Sequence, residues 1–293
     1  MIKFSIIIPT INRKEAVSAL LYSITKLNYF DYEIIIVDQN HNGLIDDICE
    51  KYAGKNFKHL KVDFQGAARA RNYGYEFSKG DIIVFPDDDS EMTENLLSAA
   101  EKEFQFNDID FLFGRAEDKT GKSDVAFERN IVSVTFQNMF HTTIEFTMFI
   151  RRKAFKELNG FDETLGVGTY YGADEGADFF LRAMYKGYKL VYNPRLIFNH
   201  PQKVKNNYGA ETRRAYTYGR GFGRLVFKHV VKYQKYRMLL LFMRFQIRAT
   251  GGIVVGVLKM NFGQVKYYVE LIRGRWVGII NTAKEYFLQG KKL

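Results

Sequence analysis

Three runs of consecutive apolar residues, each followed by polar residues, constrain the fold of this chain more than any other feature. The runs are KFSIIIP from Lys3, EIIIVD from Glu33 and DIIVF from Asp81. A strand that is apolar at successive positions is buried on both faces, as in a parallel sheet covered by helices. Segments with helical spacing of apolar residues separate the runs. The sequence therefore predicts an α/β domain with a mainly parallel, twisted sheet flanked by helices.

Polar residues at the ends of these strands predict where a ligand binds. In open α/β sheets, ligands bind outside the carboxyl ends of the strands. Thr10, Asn12 and Arg13 follow the first strand, Asp38 ends the second, and Asp87–Asp89 follow the third. Each group alone has a simpler interpretation, since such residues also cap helices and form turns. Together they predict one ligand site at this edge of the sheet.

The acidic triplet Asp87-Asp88-Asp89 predicts a divalent cation. Adjacent carboxylates repel one another, and Mg²⁺ or Mn²⁺ offsets that charge through oxygen ligands while bridging to substrate phosphates. In an extended segment Asp87 and Asp89 point to the same side. We therefore assign these two to the metal and Asp88 to a supporting role. Capping of the following predicted helix is the alternative, but a cap requires one aspartate rather than three.

Four segments in the same order resemble family-2 glycosyltransferases with the GT-A fold, of the bacterial surface-polysaccharide type. They are SIIIPTINR, EIIIVDQN, GAARARNYGYEFSKGDIIVFPDDDS and GFDETLGVGTYYGADEGADFFLRAMYKGYKLVYNP. The resemblance implies that Asp38 binds the nucleotide base, Thr10 contacts the nucleoside and Arg71 lies near the nucleotide. It also implies that Asp87 and Asp89 form a DXD-type pair on the metal. The nucleotide-sugar-binding residues it implies are Pro9, Thr10, Asn12, Arg13, Asp38, Arg71, Asp87 and Asp88.

The resemblance also implies inversion at the anomeric carbon, with a carboxylate as general base. Here the sequence departs from the family's pattern, because Gly176 stands where the base is expected. We take Glu175 as the base and Asp174 as the alternative, just before a helix predicted over Asp178–Lys186. These carboxylates could instead only favour a helix N-terminus. His200 is a candidate third metal ligand or a structural loop residue.

The charge of the chain is strongly asymmetric. The net charge is +10, and the segment from His200 to the end holds 19 Lys and Arg against 3 Asp and Glu. We predict a catalytic domain over residues 1–202, with a nucleotide-binding half (1–115) and an acceptor half (116–202). A basic, aromatic-rich helical region follows over 203–293. Its charge predicts binding to an anionic membrane surface, and without a recognisable binding module we expect no nucleic acid partner.

Several features of the basic region refine this prediction. Met238–Leu258 is apolar but contains two arginines one turn apart, which favours a helix lying in the membrane plane over a spanning one. Trp276 with Arg273 and Arg275 is a second candidate anchor, and core helices packed on the catalytic domain are the alternative. The run GRGFGR over 219–224 is interpreted as a basic turn between helices.

These observations define the functional hypothesis. The chain would move a sugar from a nucleoside-diphosphate donor, UDP-linked by expectation, to a lipid-linked saccharide in surface polysaccharide or glycan synthesis. With one cysteine, Cys49, and a first segment that predicts a strand rather than a signal peptide, we expect the cytoplasmic face of the membrane. The alternatives are a non-catalytic sugar-nucleotide-binding scaffold and a sugar nucleotidyltransferase. The nucleotidyltransferase is disfavoured because no glycine-rich loop follows the first strand.

Overall fold

The computed structural model describes residues 3–201, 208–290 and 293. The chain forms two compact units. The first comprises Met1–Phe161 and Phe179–Lys203, and the second comprises Asp162–Asp178 and Val204–Leu293. The boundary predicted between residues 202 and 203 lies outside the described residues, and the predicted domain limits stay a prediction.

Strands and helices alternate over the first half of the first unit, as the sequence predicts. The strands are β1 (Phe4–Thr10), β2 (Tyr32–Asp38), β3 (Phe57–Lys61), β4 (Ile82–Val84), β5 (Glu91–Met92), β6 (Phe111–Glu117), β7 (Val132–Ser133), β8 (Met148–Arg151) and β9 (Leu190–Asn199). The α-helices of the described residues are α1 (Lys14–Ile24), α2 (Asp46–Lys51), α3 (Ala67–Glu76), α4 (Leu96–Phe106), α5 (Arg152–Glu157), α6 (Glu175–Tyr185), α7 (Tyr208–Val231), α8 (Arg237–Leu258) and α9 (Phe262–Gln289).

Within the described residues, all nine strands join one sheet in the order β3-β2-β1-β4-β8-β6-β9-β5, with β7 paired to β9. The half from β3 to β4 is parallel throughout. Antiparallel β8 lies between β4 and β6 and makes the other half mixed. Every residue of β1 is buried, as expected for a strand covered on both faces. The predicted α/β fold is confirmed.

The register of the parallel half places the polar strand ends at one edge. Thr10 is paired with Asp38 across β1 and β2, and β4 lies on the other side of β1. Helix α3 packs closely on β1 and β2 because it has a glycine at the contact. A Cβ on Gly74 would lie 2.4 Å from Ile7 Cγ2, so a larger residue would displace the helix.

The second unit contains α7, α8 and α9, and its close packing corrects one prediction. The run GRGFGR is not a turn but the middle of α7. A Cβ on Gly223 would lie 2.1 Å from the Arg275 carbonyl oxygen, and a Cβ on Gly278 would lie 2.2 Å from the Arg220 carbonyl oxygen. The glycines therefore let α7 and α9 touch backbone to backbone. This contact outweighs the low helix propensity of glycine.

Candidate active site at the carboxyl edge of the sheet

The three carboxylates after β4 lie in different surroundings, although they are adjacent in sequence. Asp88 is buried and accepts hydrogen bonds from Thr10 Oγ1 at 2.7 Å and Arg13 Nη1 at 3.2 Å. Asp87 accepts from Arg71 Nη2 at 2.9 Å. Asp89 pairs with Arg13 and with His200, whose Nε2 lies 3.3 Å from its Oδ1. Two arginines from the N-terminal elements thus offset the charge of the triplet.

Asp87, Asp89 and His200 form the candidate metal centre. Each offers one ligand atom, and these atoms all lie within 4.8 Å of one another. Two carboxylate oxygens and an imidazole nitrogen are donors that Mn²⁺ or Mg²⁺ can share, so the residues present fit a divalent cation. Phe146 stacks on His200 with ring centroids 4.8 Å apart, which holds the imidazole in place. A second group, Asp38 with Asp46 and His59, has similar spacing.

Burial and charge shift the pKa values of Asp88 and Asp89 in opposite directions. Burial, countered by the Thr10 hydrogen bond and Arg13, raises the pKa of Asp88 to about 6. Burial alone would also raise the pKa of Asp89, but the His200 hydrogen bond, the charge of His200 and Arg13 lower it to about 2. For His200, burial lowers the pKa, yet its hydrogen bond to Asp89 produces a net increase. Of these two carboxylates, Asp89 is the one whose charged form the surroundings stabilise.

The predicted base-binding residue, Asp38, is completely buried at the end of β2. Its Oδ1 accepts from the backbone N–H of Asn40 at 2.9 Å and from Asn40 Nδ2 at 2.7 Å, and His59 Nε2 lies 2.8 Å from its Oδ2. Asn12 has φ 57° and donates its N–H to Asn40 Oδ1 at 2.7 Å. Asn12 therefore supports the loop that fixes Asp38. Pro9 is a buried residue of β1.

His59 is a residue of this site that the sequence analysis missed. It lies on β3, and the β2–β3 register pairs it with Ile36, two residues before Asp38. Its side chain is on the same face of the sheet as that of Asp38, because side chains alternate along a strand. The signal in the sequence was a polar residue within the short β3 run, but without the register it did not point to Asp38.

The candidate bases lie in the second unit. The helix that we predicted to start at Asp178 starts at Glu175, because left-handed Asp174, with φ 70°, ends the preceding loop. Asp174 is partly exposed, whereas Glu175 is 3% exposed. Desolvation, and second the charge of Glu175, raise the pKa of Asp174 to about 7. Gly166 lies so close to the Glu175 carboxylate that a Cβ there would be 2.8 Å from its Cδ.

Asp178 has a structural role in this unit. It is completely buried, and Lys228 Nζ lies 2.6 Å and His229 Nε2 3.1 Å from its Oδ1. Its N–H donates to the Asp174 carbonyl oxygen at 2.9 Å. Asp178 thus ties the first turn of α6 to α7.

Helix α8 has an exposed apolar face. Among the described residues, it is the one helix long and apolar enough to cross a membrane, and 22% of its most apolar window is buried. Leu240, Met243 and Ile247 are exposed on it, next to exposed Arg244 and Arg248.

The second predicted anchor, around Trp276, is partly wrong. Arg275 is buried and donates to the Phe245 carbonyl oxygen at 2.8 Å. Trp276 itself is half exposed. Arg275 therefore serves the packing between helices rather than a surface.

Comparison with known proteins defines the class. The model of glycosyl transferase family 2 matches residues 5–162. That is more than half of the chain, and the chain belongs to this family.

Individual relatives match over shorter segments. An uncharacterized glycosyltransferase of Haemophilus influenzae is 37% identical over 109 residues, 36% of this chain and 37% of that protein. The Escherichia coli protein WfgD, a UDP-Glc:alpha-D-GlcNAc-diphosphoundecaprenol beta-1,3-glucosyltransferase, is 28% identical over 114 residues, 39% of this chain and 45% of that protein. The matches thus span less than half the length of these relatives.

A solved structure extends the likeness in fold to nearly the whole chain. The crystal structure of S. aureus TarS 1-349 in complex with UDP-GlcNAc aligns with a TM-score of 0.65 at 19% identity. The alignment covers 99% of this chain and 92% of that one. The GT-A-like fold predicted from the resemblance is confirmed by this likeness.

Proposed function

We propose that this chain is an inverting, divalent-metal-dependent glycosyltransferase that uses a UDP-sugar and a lipid-linked saccharide acceptor. The convergence of Asp87, Asp89 and His200 with Arg13 and Arg71 carries the proposal. Three metal donors beside two arginines form a surrounding suited to a diphosphate with its metal.

The donor assignment depends on the strand ends. Asp38 would accept a hydrogen bond from the base, since its carboxylate oxygens are fixed by Asn40 and His59. WfgD uses UDP-Glc by name, and the TarS structure contains UDP-GlcNAc. These two likenesses support uridine among the possible bases.

The metal assignment gives the leaving group its stabilisation. Asp87, Asp89 and His200 would hold Mg²⁺ or Mn²⁺, which when bound offsets the charge that develops on the departing UDP. Arg13 and Arg71 contact the same carboxylates and are placed to contact phosphate oxygens once the cation is present.

In the reaction, the acceptor hydroxyl oxygen forms a bond to the anomeric carbon. The bond from that carbon to the UDP oxygen breaks, and its electron pair leaves with UDP. The hydroxyl proton passes to a carboxylate. We propose Asp174 for this role, rather than the Glu175 favoured by sequence, because Asp174 reaches the surface and has a pKa close to neutrality. A base with such a pKa is efficient at the pH of the cytoplasm.

The acceptor assignment draws on the exposed face of α8. Apolar side chains beside Arg244 and Arg248 suit an in-plane helix on an anionic bilayer, with the apolar groups inserted and the arginines at the headgroups. Each arginine near an anionic leaflet contributes about 1 kcal/mol of attraction. The diphosphoundecaprenol acceptor of WfgD is lipid-linked by name. A cytoplasmic-face enzyme with a lipid-linked acceptor accounts for both observations.

A transfer assay tests this proposal. UDP release is measured with UDP-Glc, UDP-Gal and UDP-GlcNAc, with a short-chain prenyl-diphosphate-GlcNAc acceptor, in Mn²⁺, Mg²⁺ or EDTA. We expect acceptor-dependent release that EDTA abolishes. Asp89→Asn should lower the rate of UDP release at least about 100-fold, because losing one charged group that stabilises the transition state costs several kcal/mol.

The matched control is Asp108→Asn. Asp108 is an exposed partner of Lys189 before the amino end of β6, and its replacement should leave the rate unchanged. Turnover that is equally fast in EDTA would contradict the metal assignment. Tight UDP binding without turnover on any donor would favour the scaffold alternative.

A further inference from the structure

The second unit contains a cleft that the proposed donor site and base do not use. Its volume is about 620 Å³, and it lies between the glycine-rich segment 167–172 and the first three turns of α7. The residues on its wall with polar or charged side chains are Thr169, Arg213, Arg214, Thr217 and Tyr218. The cleft is open to solvent, so a ligand can reach it directly.

The charge of the cleft is positive. Arg213 and Arg214 are both exposed on its wall. Arg214 is oriented by Tyr218, since its Nε donates to the tyrosine hydroxyl at 3.1 Å and its guanidinium lies over the ring. In the part of the chain that the structure describes, the Arg213 guanidinium has no hydrogen bond or ion pair. The one acidic residue of α7, Glu211, does not line the cleft.

The backbone around the cleft also favours an anion. Gly209 and Ala210, at the N-terminal end of the 24-residue helix α7, form part of the wall, and the N-terminus is the positive end of the helix dipole. Gly168 on the opposite wall has φ 91° and no side chain, so a ligand can approach the main chain there. Two guanidinium groups on one wall form a surrounding typical of phosphate recognition.

The cleft is next to the segment that carries the candidate base. The loop packs on α7 at Gly221, where a Cβ would lie 2.7 Å from the Ala173 carbonyl oxygen. Arg213 is eight residues earlier on the same helix, which is about 12 Å along its axis at 1.5 Å per residue. An anion in the cleft therefore lies within about 12 Å, measured along α7, of the residue that precedes Asp174.

We propose that this cleft binds a phosphate or diphosphate group of the acceptor, close to the sugar that is glycosylated. The inference rests on the proposed function for the identity of the acceptor, and it narrows that class. A phosphate bound about two helical turns from the base lies close to the acceptor hydroxyl. This distance suits an acceptor with a short saccharide on a lipid diphosphate, and it disfavours an acceptor that is a long neutral saccharide chain.

The test uses the full chain and inorganic pyrophosphate as probe, with EDTA present. Without a cation the acidic triplet repels pyrophosphate, so binding reports on the cleft. We expect calorimetric binding to the native protein and at least about tenfold weaker binding to the Arg213→Gln/Arg214→Gln variant, since two charge-assisted contacts are removed. UDP affinity in Mn²⁺, measured on the same variant, should not change. The control Arg129→Gln/Arg195→Gln removes two exposed arginines of the first unit and should retain both affinities.

The outcomes separate the two proposals and the two sources of phosphate. Unchanged pyrophosphate binding in the variant would overturn the inference, whatever UDP does. Pyrophosphate binding that depends on the two arginines, without any UDP binding, would support the proposed phosphate cleft and refute the proposed donor site. Short-chain prenyl-diphosphate-GlcNAc should displace pyrophosphate, and phosphatidylglycerol vesicles should not. Displacement by the vesicles alone would assign the cleft to lipid headgroups and overturn the acceptor assignment.

Discussion

The raised pKa of Asp174 predicts how the stability of the protein depends on pH. Its carboxyl has a pKa of about 7 in the folded chain, against an ordinary value of 3.8. The folded state therefore binds more protons than the unfolded state between these values. The stability that this group contributes is complete below the unfolded pKa and is lost as the pH rises through about 7. From about pH 5.5 to 8 the loss is at most about 2 kcal/mol, since partial exposure screens the charge.

Asp174→Asn removes this dependence without disturbing the backbone. Asparagine tolerates the left-handed conformation of this residue, and it carries no charge. Urea unfolding of the native protein and the variant is measured from pH 5.5 to 8. We expect the variant to gain stability relative to the native protein as the pH rises from 5.5, with a gain that levels off above about pH 7. Glu175→Gln should reduce the gain, because Glu175 is the second cause of the shift.

The same residue should control catalysis. Asp174→Asn should lower kcat by about 10²–10⁴, the usual contribution of a general base, and the native rate should rise with pH to a plateau above about 7. Stability curves that run parallel for the native protein and Asp174→Asn would refute the pKa assignment. A fully active Asp174→Asn with an inactive Glu175→Gln would return the role of base to Glu175.

Three further predictions follow from packing and charge. Gly223→Ala should destabilise the protein by about 3 kcal/mol, because its Cβ would overlap the backbone of α9. The control Gly251→Ala has open space at its Cβ and should be neutral or stabilising by up to about 1 kcal/mol. Thermal unfolding measures both effects. Arg244→Gln/Arg248→Gln should weaken binding to phosphatidylglycerol vesicles by about 2 kcal/mol, as measured by co-sedimentation. Unchanged co-sedimentation would place the membrane contact elsewhere. His59→Gln should weaken UDP binding in calorimetry, because Asp38 loses the partner on its Oδ2; equal affinity would show that Asn40 fixes Asp38 alone.

The strand ends were the part of the site that sequence could predict. Apolar runs give the strands, the parallel arrangement gives the shared edge, and Asp87, Asp89 and Arg13 follow from their positions in the chain. His200 could be named from family resemblance only. Its place beside Asp89 depends on β9 pairing with β5, a contact between distant segments that no local pattern specifies.

The features that sequence could not predict depend on register and helix packing. A one-residue shift of β3 against β2 would turn His59 to the other face of the sheet. Its contact with Asp38 therefore could not be predicted from the sequence without the register. In α7, glycine propensity predicted a turn at 219–224, but contact with the backbone of α9 outweighs it. The basic composition of the region predicted that Arg275 is exposed, but in the structure it is buried and donates a hydrogen bond.

Thermal unfolding with UDP, GDP and CDP, each with Mn²⁺ or EDTA, tests the central claim most directly. A ligand that binds only the folded state stabilises it, by about 2.7 kcal/mol at 100 times its Kd. We predict an increase in Tm with UDP that requires Mn²⁺, that is lost in Asp89→Asn and that is retained in Asp108→Asn. No increase with any of the three nucleotides would contradict the account, because the carboxylates after β4 would then not form a nucleotide–metal site.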